Sequence, residues 1–356
     1  MMKPQAAPTV LMLLLLATPG CGIDDKAPAS SKKAPGCDPN ATWTVWVTNQ
    51  GPGVDTVTVF HNHGDEQVSA EILATIPVGR APHNIAFSPD AKRAYVANLG
   101  TPPANGSVSV IDVGTYKVIA SVEAGVKAHG IAVTPDGKSI WVVNTASDDI
   151  TIIDAETLAA EPDRIKVGDG PALVAFLPDG TKAYVSNGDD GTASVIDVAS
   201  RKVTKTIPTG KGAMGLVLGP EARFLFETDG LDDRITVIDT KIDEVANVIT
   251  FDETLKGPHS IAIAGWEAMI TNRTADSLSF IDTRTLEKVA SMSVPGRPDI
   301  LAVAPTCDRA YLTLRDVVGV AVVDVSDRKY LDIIGMGTGD VHGIAVLPEG
   351  GKAGTN

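Results

Sequence analysis

The 356-residue chain is poor in aromatic residues (4%), in cysteine (3 in all) and in positive charge. Its 30 Lys and Arg stand against 44 Asp and Glu, a net charge of −14. Phosphate backbones repel such a chain, which disfavours a nucleic-acid partner. The most apolar run, from Val10 to Ala17, is far shorter than the ~20 residues a membrane-spanning helix needs. No Gly-x-Ser-x-Gly, His-Glu-x-x-His, phosphate-loop, EF-hand or dinucleotide motif occurs, nor a Cys-x-x-Cys-His for covalent haem. What the chain has in quantity is turn-forming residues, 34 Gly and 23 Pro, beside 44% hydrophobic residues. That composition supports a sizeable core and argues against wholesale disorder. Length alone would suggest two or three domains.

The N-terminal residues stand apart. Lys3 precedes the Leu-rich run Val10–Ala17, which has the length of a signal-peptide hydrophobic region, and Thr18-Pro19-Gly20-Cys21 follows. Residues 1–20 are therefore expected to be a signal peptide. Small residues followed by Cys resemble a bacterial lipoprotein signal, in which Cys21 would be lipidated, although Thr18 stands where Leu is usual. Ordinary cleavage near the same point is the alternative. Residues 21–40, rich in Ala, Ser, Pro and Lys, read as a flexible tether. Export to the periplasm or cell surface follows from either route, with membrane attachment only through a lipid.

A repeat organises the rest. Val110-Ile111-Asp112 recurs as Ile152-Ile153-Asp154, Val195-Ile196-Asp197, Val237-Ile238-Asp239, Phe280-Ile281-Asp282 and Val322-Val323-Asp324, at spacings of 42 or 43 residues. That period matches one four-stranded propeller blade. Six complete units fill residues 79 to about 335. Val341–Pro348 looks like a first strand with nothing after it. Thr44–Asn49, Thr56–Phe60 and Ile72–Ile76 look like second, third and fourth strands lacking a first. Together they predict a seventh, split blade (41–78 plus 336–350). The fold expected is an all-β, seven-bladed propeller over residues 41–350, its ring closed by pairing of the C-terminal strand with N-terminal strands; 351–356 are a tail. Cys307 falls in the first-to-second-strand turn of the sixth unit and Cys37 in the equivalent region of its neighbour, so the two are a candidate disulfide. Two free thiols are the alternative.

Tyr95-Val96-Ala97-Asn98, Trp141-Val142-Val143-Asn144 and Tyr184-Val185-Ser186-Asn187 each precede the Val-Ile-Asp phrase. In this they resemble the YVTN-repeat, YncE-like β-propellers, which are distantly similar to the haem-binding propeller of cytochrome-type nitrite reductases. The resemblance implies the fold over about 41–350 and leaves function open. The fourth unit (Phe226-Glu227-Thr228-Asp229) and the sixth (Tyr311-Leu312-Thr313-Leu314) depart from the pattern. The Gly-His and Trp-Asp signature of WD-type propellers is missing.

Aligning the units puts His83, His129, Ala172, Met214, His259, Asp299 and His342 at one shared position, where the chain enters each first strand. Four of the six histidines thus gather at one end of the expected channel. Imidazoles with a carboxylate suit a transition metal or haem, with His83, His129 and His342 as candidate ligands on consecutive blades. An acid–base role is a second reading, and local capping of strand entries is a third. Arg80, Arg273, Arg297 and Arg315 belong to loops on the same face and suggest recognition of a carboxylate or other anion. A solvated rim of Arg–Asp pairs is the alternative. His61 and His63 read as a solvated turn on the opposite face. The aspartates ending the third strands are assigned to backbone capping of the next turn.

The function expected is a monomeric, non-enzymatic binding or scaffolding module taking a protein or small anionic ligand on the His/Arg face. A metal- or haem-linked redox protein, or a lyase or lactonase-type enzyme, is the alternative.

Overall fold

A computed structural model describes residues 36–350, apart from 52, 63–67, 251 and 338. The signal peptide, Cys21, most of the tether, His63 and the tail lie outside the described residues. Seven four-stranded antiparallel sheets form the ring. Blades 1 to 6 begin with the innermost strands Pro82–Phe87, Ala128–Val133, Pro171–Phe176, Ala213–Leu218, Pro258–Ala264 and Pro298–Val303. In the seventh blade the innermost strand is Asp340–Pro348, paired with Trp43–Gln50, then Thr56–Asn62 and Ala70–Pro77. Trp46 stands opposite Ala345 and Val45 opposite Val346, so the chain's two ends share one sheet. Each innermost strand packs against the next around the ring, and that of the split blade packs against blades 6 and 1. Closure leaves only short strand edges at the centre, each protected by the neighbouring blades.

Alternation within each strand explains the core. The second strands place Trp46, Tyr95, Trp141, Tyr184, Phe226, Met269 and Tyr311 at one equivalent position, all buried. Apolar side chains from facing blades fill the space between them. Trp141, Val143 and Ile152 of blade 2 meet Val174, Phe176 and Val185 of blade 3. Each such side chain contributes about 1.5–3 kcal/mol on burial. Cys37 and Cys307 are bonded, with Cα atoms 5.4 Å apart across 270 residues of sequence. A loop of that length corresponds to a stabilisation on the order of 5 kcal/mol in the chain-entropy picture. The capping role of the third-strand aspartates is also seen. Asp112 accepts the Thr115 amide at 2.8 Å, Asp154 that of Thr157 at 2.7 Å and Asp197 that of Ser200 at 2.7 Å.

The Asn that closes the repeated motif is structural. Asn98 Nδ2 donates to Ser109 Oγ at 3.0 Å, Asn144 to Thr151 Oγ1 at 2.9 Å, Asn187 to Ser194 Oγ at 3.0 Å and Asn272 to Ser279 Oγ at 2.9 Å. In the sixth blade both partners change together, to Leu314 and Ala321, and the pair becomes apolar.

Neighbouring blades are fastened at the carbonyl of the residue that the repeat places at the channel. Thr48 Oγ1 donates to His83 O, Thr228 to His259 O, Thr271 to Asp299 O and Thr313 to His342 O, at 2.7–3.0 Å. Where Ala97 and Val143 supply no hydroxyl, other side chains take over. Asn84 Nδ2 reaches His129 O at 3.1 Å, and His129 Nδ1 meets Ala172 O at 3.0 Å.

Two departures from the repeat are informative. The fourth strand of blade 2 is only Ile165–Lys166, where the periodicity predicts a full one. Pro162 lacks the ladder donor such a strand needs, and residues 155–164 run as an irregular segment instead. In blade 4, Glu227 occupies the position of Val47, Val96, Val142, Val185, Ile270 and Leu312. It is fully buried and neither carboxyl oxygen takes a hydrogen bond. Burial, reinforced by Asp229, pushes its carboxyl well above the usual range. Folding therefore favours the protonated acid, and the penalty grows as pH rises above the unfolded value of about 4.5. Replacing Glu227 with Val is expected to raise the melting temperature at pH 8, with a benefit that shrinks towards pH 4.5. Thermal denaturation across that range checks it.

Candidate functional site

The strand register shows why the seven aligned residues share a place. Pro82 pairs with Asn98, Ala128 with Asn144, Pro171 with Asn187, Ala213 with Asp229, Pro258 with Asn272 and Pro298 with Leu314, and a bulge follows each time. In the split blade the same bulge falls between Val47 and Asn49. His83, His129, Ala172, Met214, His259, Asp299 and His342 each follow the paired residue and sit inside the bulge. A bulge re-aims one side chain, here toward the channel mouth. The close approach of blades there excludes larger residues: a Cβ on Gly343 would stand 1.7 Å from His83 O, and one on Gly130 2.2 Å from Ala172 O. Strand-entry turns are pinned by aspartates of the preceding blade. Asp55 Oδ1 accepts the Ala81 amide at 3.0 Å, and Asp276 Oδ1 accepts that of Arg297 at 2.8 Å.

Asp299 is the centre of the site. Its side chain is 0% exposed, and its Oδ1 accepts two hydrogen bonds from Arg273, from Nε at 2.7 Å and from the terminal nitrogen. Arg315 lies 3.6 Å from its Oδ2, His342 Nδ1 3.3 Å from Oδ2, and His259 Nδ1 3.2 Å from Oδ1. His259 approaches off the hydrogen-bonding direction, and neither of its nitrogens has a hydrogen-bond partner. Burial raises the Asp299 carboxyl above the usual range, and Arg273 and Arg315 oppose that rise. The two Arg273 N–H donors on Oδ1 are the geometry of an Arg–carboxylate pair.

The imidazoles of His342, His83 and His129 are in contact in that order, with ring centroids 3.9 Å apart at each step and planes tilted by 58° and 39°. All are buried and held neutral. Burial brings His129 down to about 4, against the pull of the Ala172 carbonyl. Burial first, then the positive charge its neighbours His129 and His342 would carry, holds His83 well below its ordinary value. Burial followed by Arg315 does the same for His342, and burial followed by Arg273 for His259.

The four arginines expected to act together separate into two pairs. Arg273 and Arg315 converge on Asp299 and keep 31% and 26% of their side chains exposed. Arg80 and Arg297 are surface rim residues, 56% and 53% exposed, beside Asp55 and Asp316. For those two the solvated-rim alternative holds. Met214 is half-buried in its bulge. His61 lies inside its strand, with Nε2 2.6 Å from Glu349. Asn84, which fixes His83, and Asp340, 3.3 Å from Arg315, were not singled out from the sequence. The available signal for Asn84 is its place after a ring histidine, where Gly130 and Gly343 stand in other blades.

The expected metal trio needs correction. A metal-ligating imidazole normally donates its second nitrogen to a carbonyl or carboxylate, which frees the first as a lone pair. Of the three, His129 has such a hydrogen bond, to Ala172 O, while the Asp299 carboxylate stands 3.3 Å from His342 Nδ1. The Nδ1 of His83 faces an amide donor, Asn84 Nδ2, at 3.0 Å, and that of His342 faces the Arg315 guanidinium at 2.6 Å. Among the described residues no three His, Cys, Asp or Glu side chains are disposed to hold a metal ion. His83, His129 and His342 do not fit a metal, and one available lone pair does not fit axial ligation of haem on both faces.

Comparison with known proteins agrees with the architecture. Residues 253–351 match the YNCE-like beta-propeller family and residues 39–215 the choice-of-anchor I domain. The uncharacterized protein YncE of Salmonella typhi is 30% identical over 147 residues, 40% of this chain. The match spans 41% of that relative's length. Among solved structures, hydrazine synthase of Kuenenia stuttgartiensis superposes with a TM-score of 0.66 at 21% identity, over 73% of this chain and 88% of that one. The periplasmic gluconolactonase PpgL of Pseudomonas aeruginosa gives 0.74 at 15% identity, over 86% and 99%. At such identities these likenesses establish the fold alone.

Depressed imidazoles make the ring acid-sensitive. The folded protein takes up fewer protons than the unfolded chain below pH 6.5, so the stability present above that value is lost as pH falls. His129→Asn is expected to flatten the decline, removing a loss on the order of 3 kcal/mol between pH 7 and pH 4. Denaturant titrations at the two pH values measure it.

Proposed function

We propose that this YncE-like seven-bladed propeller is a non-enzymatic binding protein that captures a small anion at the mouth of its central channel. The observation that carries this reading is the pair Arg273 and Arg315, held side by side by the buried carboxylate of Asp299. Two guanidiniums so close repel each other. Asp299 offsets that repulsion and fixes their planes while leaving N–H groups of both unused. A guanidinium has five N–H donors in a rigid fork, and a pre-positioned pair matches a carboxylate bidentately. Asp340 also approaches Arg315, but it is half-exposed and screened by solvent.

Electrostatics favour binding over acid–base catalysis. A general base works best with a pKa near the operating pH, and His129 lies near 4 with its neighbours also depressed. The imidazoles serve better as neutral hydrogen-bonding groups. The gluconolactonase among the structural neighbours shares the propeller fold, and lactone hydrolysis is accordingly the control activity to measure.

Isothermal titration with small carboxylates tests the reading. Arg273→Ala and Arg315→Ala are each expected to weaken binding by about tenfold or more, the cost of losing hydrogen bonds to a charged group. Arg80→Ala and Arg297→Ala should change it less than threefold. Equal losses across all four variants, or no binding by the unaltered protein, would refute it. The propeller would act outside the cytoplasm, held through Cys21. Cys21→Ser is expected to move it from the membrane to the soluble fraction of exported protein.

A further inference from the structure

Resting on the anion-binding reading, we infer that the channel mouth is built for a hydroxylated monocarboxylate, a ligand of the sugar-acid class. Its carboxylate would lie on Arg273 and Arg315, and its hydroxyls would meet an imidazole set of two donors and one acceptor.

Hydrogen-bond partners fix each imidazole's tautomer. Asn84 Nδ2 donates to the carbonyl of His129 at 3.1 Å, which sets the orientation of its amide. The same NH2 group faces His83 Nδ1 at 3.0 Å, so Nδ1 must accept and the His83 proton sits on Nε2. His342 Nδ1 lies 2.6 Å from a guanidinium nitrogen of Arg315 that can only donate, closer than the 3.3 Å to Asp299 Oδ2, so it is likewise an acceptor and its proton is on Nε2. His129 is the reverse. Its Nδ1 faces the Ala172 carbonyl at 3.0 Å and must carry the proton, leaving a lone pair on Nε2. The mouth therefore offers N–H from His83 and His342, and a lone pair from His129 at the end of the row.

The Nε2 of His342 is buried and has no hydrogen-bond partner among the described residues. An unpaired buried donor is costly, and a ligand that supplies its partner gains accordingly. A hydroxyl both donates and accepts, so a polyol chain can satisfy the two donors and the one acceptor together. Centroids 3.9 Å apart keep the three nitrogens within the span of one small molecule. An alkyl carboxylate would satisfy the arginines and leave the imidazoles unpaired. An uncharged sugar would do the opposite. The charge count points to one negative group, since buried Asp299 already offsets one of the two partly exposed guanidiniums and the Asp340 beside Arg315 is half-exposed and screened.

Titration calorimetry on the full chain at pH 7.5 separates these cases, with gluconate, hexanoate and glucose as probes. Gluconate is expected to bind at least about tenfold more tightly than either of the others. Equal affinity for hexanoate would overturn the inference and leave the anion reading standing. Equal affinity for glucose, or no binding of either acid, would overturn both. Long-range nitrogen–proton NMR of the imidazoles supplies a readout that needs no ligand. It should show His83 and His342 protonated on Nε2 and His129 on Nδ1, and the opposite tautomer at any of them overturns the donor–acceptor assignment. Asn84→Asp puts an acceptor against His83 Nδ1 and should transfer its proton there. That variant is expected to lose about tenfold for gluconate and nothing for hexanoate, and unchanged gluconate binding would count against the inference.

Discussion

Everything at the channel mouth depends on one repeated contact, the capture of a bulge residue's carbonyl by a side chain of the preceding blade. Thr48, Thr228, Thr271 and Thr313 donate hydroxyls to it, and Asn84 and His129 do so with nitrogen. A carbonyl fixed by a neighbour fixes the orientation of its own residue, so each side chain reaches the channel at a set angle. The cost is space. Backbones approach so closely that Gly130 and Gly343 tolerate no side chain, which accounts for glycine directly after His129 and His342.

On that frame the site is a balance of buried charge. Asp299 would be expensive alone in the interior, and so would Arg273 and Arg315 together without it. Arg273 hydrogen-bonds Asp299 and Arg315 stands 3.6 Å from it, so the three charges support one another, and the surrounding imidazoles stay neutral through burial and the two guanidiniums nearby. Neutral imidazoles then act as fixed donors and acceptors. Glu227 is a different case, a buried carboxyl in an apolar position with no compensating hydrogen bond.

Several features were legible in the sequence because they depend on local chemistry repeated at a fixed interval. The 42-residue spacing of Val-Ile-Asp gave the blades, and the complementary remnants at the two ends gave the split seventh. The turn position of Cys307 relative to Cys37 gave the disulfide. The histidines' shared alignment was sound, and the reason is the common bulge. The fourth strand of blade 2 was misread because Pro162 interrupts the ladder, an effect one proline exerts against an otherwise regular repeat.

Period and turn chemistry act within a few residues, so the sequence by itself determined the propeller, its closure and the face on which His and Arg gather. Only the tertiary structure decided which of those groups meet. Arg80 and Arg297 have the same loop positions as residues that converge, yet they end on the rim. His83 and His129 share an alignment column, yet their partners give them opposite tautomers. Such differences arise from contacts between blades distant in sequence, where a single amide, carbonyl or guanidinium decides whether a nitrogen donates or accepts.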